Sequence, residues 1–162
     1  MRFIFEAACD ADLPMIINIY KSSIGCEGCV WTEDYPSIED AVKDLGRGDL
    51  FVLKDTTGNV AGTVSIDDDP AVEALDCWDR SLYPAREISR LGVLKDLRGQ
   101  GLGGRLLKEA MDVLKKRGCK SAHYLVSRSN PAALAAYAHM GCRSVGSSDL
   151  YDGDYICFEK EL

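Results

Sequence analysis

Eight residues, Arg98-Gly99-Gln100-Gly101-Leu102-Gly103-Gly104-Arg105, place four glycines at the head of the most clearly helical stretch of the chain. From Leu102 onward, Leu106, Ala110, Val113 and Leu114 form an apolar stripe, while Lys108, Glu109, Asp112 and Lys116 stay off it. Lys115, Lys116 and Arg117 stand where the C-terminal dipole favours cations, and Gly118 supplies the stop. Glycines feeding a helix N-terminus let backbone N–H groups approach a phosphate, whose charge the helix dipole favours. Three ligands suit such a loop: a dinucleotide, the phosphates of a Walker A site, or the pyrophosphate of coenzyme A.

The surroundings narrow the choice. A Walker A loop needs Lys and then Ser or Thr after its last glycine, and here Arg105 and Leu106 follow Gly104. Gly99, Gly101 and Gly104 fit G-x-G-x-x-G, but Lys95-Asp96-Leu97-Arg98 separates them from the preceding strand, and no acidic residue ends the next one. That strand ends in Ser127 and Arg128, and Arg128 keeps an NADP-binding reading open.

Elsewhere the periodicity alternates between strand and helix. Residues 4–8 read as a first strand, and Asp10 and Asp12 as N-cap candidates for a helix burying Leu13, Ile16, Ile17 and Tyr20. Ser37 and Asp40 resemble a capping box opening a second helix, ended by Gly46 and Gly48. Residues 50–53 and 60–66 form a hairpin around Asp55-Thr56-Thr57-Gly58-Asn59. Residues 67–86 read as a long acidic loop with at most a helical turn, and 87–94 as the fourth strand. A strand over 122–126, a helix opened by Asn130-Pro131 and closed by Gly141, and strands over 142–147 and 155–159 complete the order. With 162 residues and no linker or repeat, this is one mixed α/β domain.

The net charge of -7 argues against a nucleic-acid or anionic-membrane partner. It suits a cationic substrate, and it equally serves solubility. No apolar run approaches the roughly 18 residues of a membrane span, and the start, MRFIFEAACDAD, lacks the apolar core of a secretion signal. Seven scattered cysteines fit a reducing cytoplasm better than a disulfide framework. Cys26-Glu27-Gly28-Cys29 is a lone C-x-x-C with no second ligand pair, so no metal is expected.

Two motifs carry a family resemblance. Arg98-Gly99-Gln100-Gly101-Leu102-Gly103 resembles the [Arg/Gln]-x-x-Gly-x-[Gly/Ala] signature of the GNAT (GCN5-related N-acetyltransferase) superfamily, and Glu87-Ile88-Ser89-Arg90-Leu91-Gly92-Val93 resembles its fourth strand. Downstream, Asn130-Pro131-Ala132-Ala133-Leu134-Ala135-Ala136-Tyr137-Ala138-His139-Met140-Gly141-Cys142 is similar to the family's Asn-x-x-Ala-x-x-[Leu/Phe]-Tyr-x-[Lys]-x-Gly-Phe segment. Ala136, His139 and Cys142 depart from that pattern, at positions expected to pack or face solvent. The likeness is firmest over 87–142.

The resemblance implies a mostly antiparallel central sheet, flanked by helices, whose strands 4 and 5 splay apart. It implies acetyl-CoA as cosubstrate, with Arg98, Gly99, Gln100, Gly101, Leu102, Gly103 and Gly104 around the pyrophosphate. Leu91, Gly92 and Val93 would pair with the pantetheine arm, and the N–H of Val93 or a neighbour would polarise the thioester carbonyl. Asn130 and Ala133 would line the arm; Asn130 equally reads as a helix cap. Tyr137 matches the family's acid, which protonates the leaving thiolate, and Glu87 stands where some members place a glutamate base; an ion pair with Arg86 or Arg90 is the alternative for Glu87.

The implied reaction is direct acetyl transfer to a primary amine of a small molecule or protein through a tetrahedral intermediate. Trp31, Tyr35, Trp78 and Tyr83 are candidate walls for the acceptor, and Asp67-Asp68-Asp69 is either an attraction for a cationic acceptor or a solvated loop. A strand edge at the C-terminus leaves room for a homodimer. A non-catalytic acyl-CoA-binding module is the reading from another functional class.

Overall fold

A computed structural model describes residues 2–162. Seven strands form one sheet: β1 (Phe3–Ala7), β2 (Leu50–Asp55), β3 (Val60–Asp67), β4 (Ala85–Val93), β5 (Ser121–Ser127), β6 (Arg143–Ser148) and β7 (Tyr155–Glu161). Their spatial order is β1-β2-β3-β4-β5-β7-β6, and every neighbouring pair is antiparallel except β4 and β5. The last strand is thus internal and β6 is the edge, which corrects the C-terminal edge expected from the sequence.

Five α-helices accompany the sheet among the described residues: α1 (Leu13–Ser23), α2 (Ile38–Gly46), α3 (Pro70–Glu73), α4 (Leu102–Lys116) and α5 (Pro131–His139). The capping box at α2 forms as the sequence suggests, with Ser37 N–H donating to Asp40 Oδ2 at 2.8 Å and Asp40 N–H to Ser37 Oγ at 3.3 Å. Asp12 stands at the N-cap of α1 as expected, but its side chain makes no capping hydrogen bond to that helix. A 3-10 turn (Asp10–Asp12) precedes that helix, and the Asp12 carboxylate accepts from Cys9 N–H and pairs with Lys54. The buried face of α1 is Ile16, Ile19, Tyr20 and Ser23, so Ile19 takes the place expected for Ile17.

Alternation along β2 divides the core. Phe51 and Leu53 join Leu102, Leu106, Leu107, Ala110, Met111 and Leu114 of α4 on one face, while Leu50 and Val52 join Ile16, Ile19, Tyr20 and Ala41 on the other. Val113 is only partly buried, and Leu107 and Met111 widen the expected stripe. The acidic segment between β3 and β4 is more structured than its composition suggests. Val72 of α3 and Trp78 are buried with Cys157 of β7, and the Trp78 indole N–H donates to Val72 O at 2.8 Å. It forms a packed cover over β5 and β7. No helix among the described residues is long and apolar enough to cross a membrane.

Candidate active site

The opening in the sheet begins with a bulge. Between Ser65↔Ser89 and Thr63↔Gly92, β3 supplies only Val64 while β4 supplies Arg90 and Leu91. Arg90 has φ 48, a left-handed conformation that costs an L-residue about 1–2 kcal/mol. Its guanidinium is held by both oxygens of Asp44, by Asp67 Oδ2 at 2.9 Å, and donates to the Tyr35 hydroxyl at 3.1 Å. Parallel pairing of β4 with β5 covers only Ala85↔Ser121, Arg86↔Ala122 and Glu87↔His123. Beyond these, 88–93 and 124–127 run on without pairing to each other.

Unpaired backbone therefore lines the gap. Leu94 N–H donates toward β3, to Ala61 O at 2.9 Å, so strand alternation turns Val93 the other way, to the open edge. The Val93 carbonyl on that edge accepts from Arg98 Nε at 3.2 Å, leaving its N–H facing the gap. Leu91 shares the same edge by the two-residue repeat. Gly92 faces the other layer, where an added Cβ would lie 2.8 Å from Ile19 and 3.3 Å from Trp31.

The glycine loop closes one end of this gap. Gly99 and Gly101 both have φ 79, with open space where a Cβ would stand, and Gly101 is the N-cap of α4. Arg105 N–H makes the first helical bond to Gly101 O at 3.1 Å, so the N–H groups of Leu102, Gly103 and Gly104 ahead of it are free for an anion. The Arg98 side chain points inward, bonded to Val93 O and to Ser23 Oγ at 2.9 Å, and pins the loop to β4 and α1. Arg105 lies 3.6 Å from Glu109.

Past the gap, the Asn130 side chain caps α5 by accepting from Ala133 N–H at 3.2 Å. The α1–α2 loop closes on it: a Cβ on Gly28 would lie 2.8 Å from Asn130 Cα. Tyr137 packs on Tyr124, the first β5 residue beyond the paired region, with ring centroids 4.5 Å apart. Burial, then the neighbouring Cys142, pushes the Tyr137 phenol up to about 12, so it stays protonated at neutral pH.

Glu87 pairs with neither arginine beside it: Arg86 binds Asp49 and the Asp67 carbonyl, and Arg90 binds Asp44, Asp67 and Tyr35. It is 6% exposed, and its Oε1 has no hydrogen-bond partner. Burial, then the charges of Asp67 and Asp69, raises its pKa well above the ordinary carboxylate range.

Register places Glu87 in a row of ionisable side chains crossing five strands: Asp67, Glu87, His123, Glu159 and Arg143. Sequence reasoning missed His123. A buried polar residue inside a strand carries no local signal, and only the pairing of distant strands sets it beside Glu87.

The four aromatic candidates separate. Trp31 lies along Gly92 at the gap, and Tyr35 binds Arg90. Trp78 and Tyr83 stack on His123 beneath the cover. A cavity of about 300 Å³, lined by Val30, Ser127, Ser129, Tyr151, Asp154 and Tyr155, among others, opens where β5 ends. Arg128 is engaged with Asp154 at 3.2 Å and Ser147 at 3.1 Å. Among the described residues no group of three or more His, Cys, Asp or Glu side chains could hold a metal ion.

Two central parallel strands that part beside a glycine-rich helix N-terminus define a protein class that holds an extended, anion-ended chain between strands. The family model described as "Acetyltransferase (GNAT) family" matches residues 16–142, and the chain belongs to that family. It is 27% identical over 141 residues to streptothricin acetyltransferase of Streptomyces lavendulae, covering 86% of this chain and 64% of that protein. It is 31% identical over 84 residues to N-alpha-acetyltransferase 30 of Schizosaccharomyces pombe, covering 49% of this chain and 56% of that protein. The matches thus span less than two thirds of either relative. Among solved structures, an acetyltransferase of the GNAT family from Streptococcus agalactiae superposes with TM-score 0.81 at 18% identity, covering 99% of this chain and 95% of that one. The Salmonella typhimurium protein yncA with its cofactor acetyl-CoA gives 0.77 at 18% identity, covering 100% and 95%. At these identities the structures share the fold.

Proposed function

We propose that the chain is an acetyl-CoA-dependent N-acetyltransferase acting on a primary amine of a small molecule or peptide by direct attack. The observation that carries this reading is the gap between β4 and β5, bounded by the free N–H groups of α4 at one end and by the buried, unpaired carboxyl of Glu87 at the other. The donor fits that space: the first turn of α4 takes a pyrophosphate, and the edge of β4 at Leu91 and Val93 takes an amide-bearing arm as an added strand. Bound acetyl-CoA supplies an acyl thioester whose carbonyl an N–H on that edge polarises.

The other groups move protons. Glu87 takes the proton that an ammonium must lose before its nitrogen can attack, and the burial that raises its pKa strengthens its carboxylate as a base. Tyr137, protonated at neutral pH, returns a proton to the leaving sulfur. The acceptor enters through the cavity beside Val30 and Tyr151, where Tyr151 donates to Asp69 at 2.6 Å and Asp152 places a carboxylate on the rim. That rim favours an amine that arrives as a cation. Seven free cysteines suit a reducing, cytoplasmic setting.

The test is a thermal melt with acetyl-CoA beside NADPH, followed by thiol release across an amine panel. A ligand at about 100 times its Kd adds roughly 2.7 kcal/mol of stability. A rise with acetyl-CoA alone supports the reading, and a rise with NADPH alone overturns it. Tyr137→Phe is expected to keep the acetyl-CoA shift and lose about 10²-fold or more in kcat. Unchanged turnover removes Tyr137 from the chemistry.

A further inference from the structure

The carboxylates beside the gap divide by whether an arginine reaches them. Asp44, Asp49, Asp67 and Asp68 each pair with at least one arginine, from 2.6 Å for Arg117 on Asp49 to 3.6 Å for Arg47 on Asp68. Asp69 and Glu87 have no cation among the described residues. Asp69 Oδ1 accepts from Ala71 N–H at 2.9 Å and caps α3, and its Oδ2 accepts from the Tyr151 hydroxyl at 2.6 Å. Glu87 is 6% exposed and its Oε1 has no partner at all.

These two carboxyls face one space. Glu87 pairs with Asp67 across β3 and β4, so both project to the same face, and Asp69 follows Asp67 by two residues at the start of the cover. Tyr151 enters that space from the β6–β7 turn. Its phenol is pushed up to about 12, first by the hydrogen bond to Asp69, then by burial and by the charges of Asp69, Glu87 and Asp67. The same side chain lines the cavity of about 300 Å³ at the end of β5. Tyr151 is 71% exposed, and it and Asp152 hold left-handed backbone at φ 56 and 58. The turn thus reaches Asp69 through a hydroxyl that water can readily take over.

We propose that Asp69 is a second cation subsite, so that the acceptor is a small diamine or polyamine. One nitrogen lies at Glu87 and reacts, while a neighbouring ammonium replaces the Tyr151 hydroxyl on Asp69. This rests on the acetyltransferase reading above and narrows its acceptor. An ammonium brings a full positive charge to a carboxylate that has no cation, whereas the phenol brings only a hydrogen bond. The displaced phenol is already mostly in solvent and recovers its bond from water. A peptide fits less well. Beyond its α-amine comes a carbonyl oxygen, whose lone pairs the Asp69 carboxylate repels.

Calorimetric titration and CoA release test this with 1,4-diaminobutane and n-butylamine, which match in length and differ by one ammonium, beside an alanine-initiated tetrapeptide. In wild-type protein the diamine is expected to bind at least about tenfold tighter than n-butylamine, and to exceed both other acceptors in kcat/KM. Asp69→Asn keeps the cap of α3 and removes the charge, and is expected to erase most of that preference through KM rather than kcat. Tyr151→Phe removes the competing hydroxyl and is expected to act in the opposite sense, tightening the diamine about threefold. A diamine that binds no better than n-butylamine, or a preference that survives Asp69→Asn, overturns the subsite. So does a Tyr151→Phe loss that matches that of Asp69→Asn. In each of these cases a melting point raised by acetyl-CoA leaves the acetyltransferase reading standing. Wild-type protein that neither melts higher with acetyl-CoA nor releases CoA overturns the reading itself.

Discussion

Arg90 and Asp44 form a bidentate pair inside the protein, Nη2 to Oδ1 at 2.8 Å and Nε to Oδ2 at 3.0 Å, joining the bulge of β4 to the last turn of α2. Both side chains are nearly inaccessible, at 6% and 1%. The pair fixes the residue with the left-handed backbone, and that residue lies inside the stretch, 88–93, where β4 no longer pairs with β5. The buried ion pair thus acts on the shape of the candidate site as well as on stability.

Arg90→Ala is expected to be severe, because it takes the most deeply buried cation from Asp44 and Asp67 and leaves Arg47 alone to face both. Removing one partner of a buried pair costs about 3–5 kcal/mol, and each kcal/mol moves the melting point of a chain this size by about 2–4 °C. Calorimetry reads the loss directly. A fall within a degree or two of wild type shows that the bulge does not depend on the pair.

Acid weakens the same region. Asp67 and Asp49 are pushed up by burial, but hydrogen bonds from Arg90 to Asp67, and from Arg117 and Arg47 to Asp49, outweigh this and hold both below the ordinary value. A depressed carboxylate adds stability that is fully present above its unfolded pKa of about 3.9 and is lost as pH falls through the folded value. Melting curves from pH 6 to 3 are expected to fall at the acid end, and Asp67→Asn to flatten part of that fall.

Glu87 carries the opposite sign. A carboxyl raised by burial favours folding below its unfolded pKa of about 4.3, and that contribution is lost as pH rises toward the folded value. Glu87→Gln is therefore expected to melt above wild type at pH 7 and to match it near pH 4, while losing about 10²-fold in turnover at neutral pH. Equal melting points at both pH values place the carboxyl in contact with water.

The glycines of the loop separate into two kinds. Gly101→Ala meets no atom within 4 Å but must adopt φ 79, which costs about 1–2 kcal/mol and tilts the first turn of α4. Gly104→Ala sits inside α4 with open space around it and gains about 0.5–1 kcal/mol of helix propensity, while adding a methyl where a phosphate would rest. Gly101→Ala is expected to lower the unliganded melting point and Gly104→Ala to raise it, with both shrinking the acetyl-CoA shift. An undiminished shift in both places the anion elsewhere.

Local sequence determined the parts whose chemistry is local. The glycines open α4 because left-handed backbone at 99 and 101 is cheap only for glycine, and Ser37 with Asp40 caps α2 because donor and acceptor lie three residues apart. The amphipathic period of α4 and the alternation of β2 were equally legible, and with the two motifs they were enough for the mixed α/β family fold. Tertiary structure decided the rest. It drew the Asp12 carboxylate away from α1 to Cys9 and Lys54, set β7 inside β6, turned the Arg98 side chain toward β4 and α1, and packed the acidic segment as a cover. It also aligned Glu87 with His123, residues 36 positions apart in the sequence. No periodicity contains that neighbour relation, because strand register is fixed by which faces are buried across the whole sheet.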